Sequence, residues 1–103
     1  MKIPCACGHV IIDQTDGLSN KGHLISDTQW FAFWEAIDDA IENSGPTAKE
    51  KEAACMRLRQ QNPFKLMWEC PQCGRLYVDG AHGEVTIYQP ENQVYNQALN
   101  RKA

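Results

Sequence analysis

What this sequence lacks narrows it first. No stretch of its 103 residues approaches the roughly 18 consecutive apolar residues that a membrane helix needs. No apolar leader with a cleavage site is visible; Met1-Lys2-Ile3-Pro4-Cys5 runs straight into a cysteine motif. Basic residues are not in excess, with ten Lys and Arg against 13 Asp and Glu, a net charge of −3. A nucleic-acid binder displaces counterions with a basic face, and nothing here advertises one. Low-complexity segments are absent, and no long internal repeat is present. These gaps point to one domain, residues 1–103, in a reducing, cytoplasmic compartment, with no membrane attachment and no nucleic acid as the expected partner.

What is present is a small core and an unusual use of cysteine. The apolar share is 43% and there are three Trp, enough for a chain of this length to bury about two thirds of its unfolded surface. Five cysteines occur, four of them inside a phrase used twice. Cys5-Ala-Cys7-Gly8-His9-Val10-Ile11-Ile12-Asp13 is matched by Cys70-Pro71-Gln72-Cys73-Gly74-Arg75-Leu76-Tyr77-Val78-Asp79. Aligned on Cys7 and Cys73, both give Cys-Gly, a polar residue, three apolar residues and an aspartate. Each reads as a knuckle: a cysteine pair, a tight glycine turn and an outgoing strand. Two facing knuckles supply the four soft ligands of a tetrahedral zinc site, Cys5, Cys7, Cys70 and Cys73. The first pair is one residue tighter than the second, so His9 in place of Cys5 stays open as an alternative ligand.

The paired Cys-Gly knuckles resemble the zinc-ribbon class of small metal-stabilised proteins, over about the first 13 residues and positions 66–88. The expected fold is therefore α+β: zinc-ribbon-like antiparallel knuckles at 3–13 and 64–79, with three or four short strands and one structural Zn²⁺. A helical hairpin at 27–62 is inserted between the knuckles, and a strand and short tail fill 84–103.

The inserted segment is legible from its punctuation. Residues 14–25 are turn-rich and read as a loop that includes His23. Ser26 and Gln29 have capping-box spacing, and Trp30, Phe33, Trp34, Ile37 and Ile41 then recur at helical intervals as an expected core stripe. Asn43-Ser44-Gly45-Pro46 closes that helix. Thr47 and Glu50 open a second, with Ala53, Ala54, Met56 and Leu58 as its inner face, and Asn62-Pro63 ends it. Cys55 is expected in the core as a small apolar residue. Beyond Pro63 the period becomes two, with Phe64, Leu66 and Trp68 leading into the second knuckle. Val85–Tyr88 reads as a further strand, His82 as a surface loop residue, and Val94, Tyr95, Ala98 and Leu99 as a short terminal helix.

Function classes follow from these residues. Four cysteines closing a metal shell leave no open position, so no enzyme is expected. A redox role for Cys70-Pro71-Gln72-Cys73 is disfavoured because a strand-like run, and no helix, follows the pair. Glu35, Asp38, Asp39 and Glu42 form an acidic stripe on the first helix, and Phe31 lies within about 40° of its axis. That combination suits a protein partner with a basic surface. A small acidic chain of this kind resembles in general character the immunity proteins that neutralise bacterial toxins. The competing readings are a nucleic-acid-associated ribbon using Arg57, Arg59, Lys65 and Arg75, and a metal-handling or redox protein.

Overall fold

The computed structural model describes residues 1–80, 83–95 and 97–100, so His82 lies outside the described residues. Among the described residues the chain is an α+β protein with a two-stranded and a four-stranded antiparallel sheet and two helices. It divides into two compact units, Met1–Leu24 with Lys65–Ala103, and Ile25–Phe64.

In the first unit, β1 (Lys2–Pro4) pairs with β2 (Val10–Ile12), placing Ile3 opposite Ile11. The larger sheet runs in the order β3 (Lys21–Leu24), β4 (Lys65–Glu69), β5 (Leu76–Asp79) and β6 (Val85–Tyr88). β3 corrects the loop expected over 14–25, because the breakers Gly17 and Gly22 masked a strand at its end. Gly22 is tolerated there because other side chains cover it: a Cβ at that position would meet Leu99 Cδ2 at 3.0 Å and Met67 Cγ at 3.3 Å. The β3–β4 register pairs Lys21 with Trp68 and Leu24 with Lys65. The inserted unit therefore leaves and rejoins the sheet at one residue pair.

The core of this unit gathers Ile11, Trp68 and Tyr77 around Cys5 and Cys70. The Trp68 indole N–H donates to Asp13 at 3.0 Å, and Asp13 also pairs with Lys21 at 3.0 Å. These two donors hold the Asp13 carboxyl below the usual carboxylate range, the Lys21 contact being the stronger cause. β4 departs from simple alternation, since Met67, Trp68 and Glu69 are all buried. The reason is a second layer. The Ala98 N–H donates to Glu69 Oε2 at 3.1 Å, and Asn100 Nδ2 donates to the Ser19 carbonyl at 2.7 Å. Among the described residues the terminal helix expected around Val94–Leu99 does not form; Gln93 and Gln97 take left-handed backbone (φ 55° and 52°), which interrupts a helix.

The second unit is a helical hairpin, α1 (Asp27–Asn43) and α2 (Ala48–Gln60). Both expected caps are made. The Gln29 N–H donates to Ser26 Oγ and the Glu50 N–H to Thr47 Oγ1, each at 3.2 Å. Lys51 Nζ donates to the Gly45 carbonyl at 3.0 Å, supplying a cation near the C-terminal end of α1, whose own last turn has none. Phe33 and Phe64 pack edge to face at 5.3 Å, as do Trp30 and Trp34 at 5.5 Å.

Packing corrects two expectations. α1 contains no buried residue, and α2 buries Ala54 alone. The half-buried positions of α1 are Phe33, Ala36, Ile37 and Ala40, so of the expected stripe only Phe33 and Ile37 lie on the inner face. Trp30, Trp34 and Ile41 project beside it at 41%, 47% and 71% exposure. Cys55 is exposed, not core, and so is Met56. A helix of small residues approached by one partner helix covers only part of a wide apolar arc.

Candidate metal centre

The two knuckles reach the same local geometry by different loop lengths. In the first, the Cys5 N–H donates to the His9 carbonyl at 2.8 Å and the Gly8 N–H to the Cys5 carbonyl at 3.0 Å. In the second, the Cys70 N–H donates to the Arg75 carbonyl and the Gly74 N–H to the Cys70 carbonyl, both at 2.9 Å. Each turn therefore closes on equivalent residues, with the extra residue of the second pair absorbed inside the loop. Both turn glycines are left-handed, Gly8 at φ 100° and Gly74 at φ 81°. Gly74 has a further constraint, since a Cβ there would collide with the Val94 carbonyl oxygen.

This arrangement brings the Sγ atoms of Cys5, Cys7, Cys70 and Cys73 within 4.8 Å of one another. Cys5 Sγ and Cys73 Sγ are 3.5 Å apart, and Cys7 Sγ and Cys70 Sγ 3.6 Å. A tetrahedron with metal–sulfur bonds of about 2.3 Å has sulfur–sulfur edges of about 3.8 Å, so these spacings suit one ion held by all four. All five cysteines are free, and the sulfurs meet across the knuckles as ligands would, without a disulfide. The His9 ring is not a member of the quartet; His9 serves the turn through its carbonyl.

The surroundings treat two of the sulfurs in opposite ways. Burial opposes ionisation of Cys5, but the Cys7 backbone N–H, then the Tyr77 hydroxyl and the Cys73 side chain, outweigh it and bring its pKa to about 6. Cys70 has no exposed surface, and burial pushes its thiol up to about 12 against the backbone N–H groups of Cys73 and Gln72. The protein alone thus readily ionises one of these two sulfurs and resists ionising the other. A cation held between them would allow all four to become thiolates. Arg75 Nη1 lies 3.2 Å from Cys73 Sγ, and this contact raises the guanidinium's pKa, fixing its charge beside the sulfur. The buried Tyr77 hydroxyl faces Cys5 without a partner of good geometry; burial and then that sulfur raise its pKa to about 12, so it stays protonated.

Arg75 and Tyr77 are parts of the centre that cysteine spacing alone does not reveal. Their signal was present in the phrase: Arg75 occupies the polar position after Cys-Gly, and Tyr77 the middle of the apolar triplet. The other singled-out residues lie on α1. Phe31 is 59% exposed, and Glu35, Asp38, Asp39 and Glu42 are exposed with it, Asp39 accepting from Asn43 Nδ2 at 2.8 Å.

Fold and site together define a small α+β protein with a four-cysteine centre able to hold a metal ion. Residues 1–92 match the family described as a domain of unknown function (DUF8617), and the chain belongs to that family. No curated protein and no solved structure matches it.

Proposed function

We propose that the protein is a non-enzymatic, zinc-stabilised protein-binding module of a reducing, cytoplasmic compartment. The observation that carries this reading is the quartet of sulfurs within 4.8 Å. Four thiolates are a soft donor set suited to zinc, and they fill its tetrahedral shell, leaving no position for a reacting water or substrate. The metal's role is then structural, and function is exercised on the surface. A candidate surface is the acidic stripe of α1, where Phe31 stands among four carboxylates and no basic residue interrupts residues 27–43. The stripe would speed encounter with a basic protein, and Phe31 would supply the desolvated contact that slows release. Neutralising a partner in the manner of an immunity protein is one form that such binding takes. The nucleic-acid alternative loses one of its cations, because Arg75 is engaged with Cys73.

Metal analysis of the purified protein tests the first half: about one zinc per chain is expected, and its absence overturns the reading. The second half is tested with a partner captured from the native host. Charge reversal at Glu35 and Asp39 should slow association, while Phe31→Ala should speed dissociation; unchanged rates for both variants remove the acidic face from the reading.

A further inference from the structure

The helical hairpin leaves one broad face uncovered. With about 100° between successive residues, Trp30, Trp34 and Ile41 share one edge of α1, roughly a quarter turn from the face that α2 covers. On α2, Leu58, Cys55 and Lys51 lie on the same side, and with Ala40, Ile41 and Ser44 they line a groove of ≈ 230 Å³. The two tryptophans brace each other edge to face. Their exposure, with that of Ile41, amounts to on the order of 350 Å² of largely apolar surface, within the range of the largest patch on a typical monomer.

We propose that this face pairs with the same face of a second copy, α1 of each chain lying antiparallel against α2 of the other in an intermolecular four-helix arrangement. The inference goes beyond the binding role above and uses the neighbouring edge of α1, sharing only Asp38 with the acidic stripe. Charge selects both the occupant and its orientation. α1 carries five carboxylates and no cation, a net of −5, whereas Lys49, Lys51, Arg57 and Arg59 against Glu50 and Glu52 give α2 a net of +2. A two-fold axis running across the helices would set α1 against α1, acid on acid. A two-fold axis along the helices sets α1 against α2 twice over, and the hairpin becomes self-complementary.

Particular residues meet in that arrangement. Asp38 stands about 40° outward of Trp34, and Arg59 about 40° outward of Cys55, each on the outer rim of its helix. The groove sets Ile41 beside Cys55, and Phe33 shares a second cavity with Gln61, so Asp38 and Arg59 lie within about one turn of the same level. Rotation about the long axis then brings Asp38 of one copy against Arg59 of the other. Glu52 also stands on the α2 rim, about two turns from Arg59. Pairing would cover the two apolar faces together with their rims, reaching the lower end of specific interfaces, about 1,200 Å² in total.

Sedimentation of the full, metal-loaded chain across the micromolar range tests this. A monomer–dimer equilibrium is expected, and a monomer at every concentration overturns the proposal. Trp34→Glu should weaken the dimer at least about tenfold, with metal content and helical circular dichroism unchanged. A folded Trp34→Glu that still dimerises like the wild type overturns it. Asp38→Lys alone and Arg59→Glu alone should each weaken the dimer, since each homodimer then opposes like charges twice. An equimolar mixture of the two variants should restore it, because both contacts of the mixed dimer are complementary. A mixture as weak as its components overturns the α1-on-α2 pairing. None of these readouts depends on a basic partner, so the dimer and the Phe31 surface stand or fall separately.

Discussion

On the proposed reading, stripping the metal should unfold the sheet unit rather than merely soften it. Its buried cluster consists of Ile11, Trp68 and Tyr77 with Cys5 and Cys70, so two of five core side chains are themselves candidate metal ligands. The three others contribute about 1.5–3 kcal/mol each by burial, whereas a structural zinc contributes about 10–16 kcal/mol of apparent binding. Without a cation, two thiolates at the 3.5 Å separation of Cys5 and Cys73 would repel by about 5 kcal/mol at an effective dielectric of 20. The metal-free site must therefore take up protons, with the Cys70 thiol at about 12 holding its proton most firmly. Titration with a strong chelator at neutral pH, followed by Trp fluorescence and by a colorimetric metal indicator, should show metal loss and exposure of Trp68 as one transition. Reloading should release protons into an unbuffered solution, and affinity should fall steeply in acid as the thiolates, Cys5 among them at about 6, are reclaimed by protons. Cys70→Ser should behave like the stripped protein, while Cys55→Ser, on exposed helix surface, should bind and melt like the wild type. A chelated protein that keeps its fluorescence and cooperative melting would show that the core is self-sufficient, and the structural role of the metal would be refuted.

Four further substitutions each probe a single position. Arg75→Gln removes the guanidinium beside Cys73 Sγ and should lower metal affinity about 10–100-fold in a competition assay, with little change in secondary structure. Gly8→Ala, where an added Cβ meets nothing within 4 Å, should cost about 1–2 kcal/mol for left-handed backbone. Gly74→Ala should cost about 1–3 kcal/mol more in denaturant melts, because its Cβ also collides with the Val94 carbonyl; equal costs would mean the tail does not lie there. Asp13 has a depressed carboxyl pKa, so the stability it supplies is complete above the ordinary carboxylate range and is lost as pH falls through its folded value. Asp13→Asn should therefore be less stable at neutral pH and show a shallower acid limb below about pH 4.

The cysteine centre was legible because chelation demands a local phrase, and the phrase occurs twice. Helix ends were legible for a similar reason, since Ser26 and Thr47 act on N–H groups three residues away. What could not be read was long-range cover. β3 was hidden because Gly22 looks like a breaker until Leu99 and Met67 fill the space beside it. The burial of Glu69 depends on the Ala98 N–H, 29 residues distant. The stripe of Trp30, Trp34 and Ile41 has the right period for a core, but period says which residues share a face and not whether anything covers it. Cys55 failed likewise: its neighbours are small and apolar, yet its side of α2 is open.

The pairing of Leu24 with Lys65 bears on how such a chain assembles. Partners across an antiparallel ladder have Cα atoms about 4.5–5.5 Å apart, a gap that a two-residue turn can span. Forty residues occupy that position here, from Ile25 to Phe64. Were they a floppy loop, bringing β3 to β4 would cost about 2–3 kcal/mol more than closing a tight turn, by the logarithmic growth of loop entropy. A helical hairpin, once formed, folds its segment back on itself and removes most of that excess. Helices form and dock within microseconds, ahead of non-local strand pairing, so the insert would act as a clasp that shortens the search before the knuckles meet. A segment sharing no ladder with the sheet unit can thus set the speed at which that unit, and with it the four-cysteine centre, comes together.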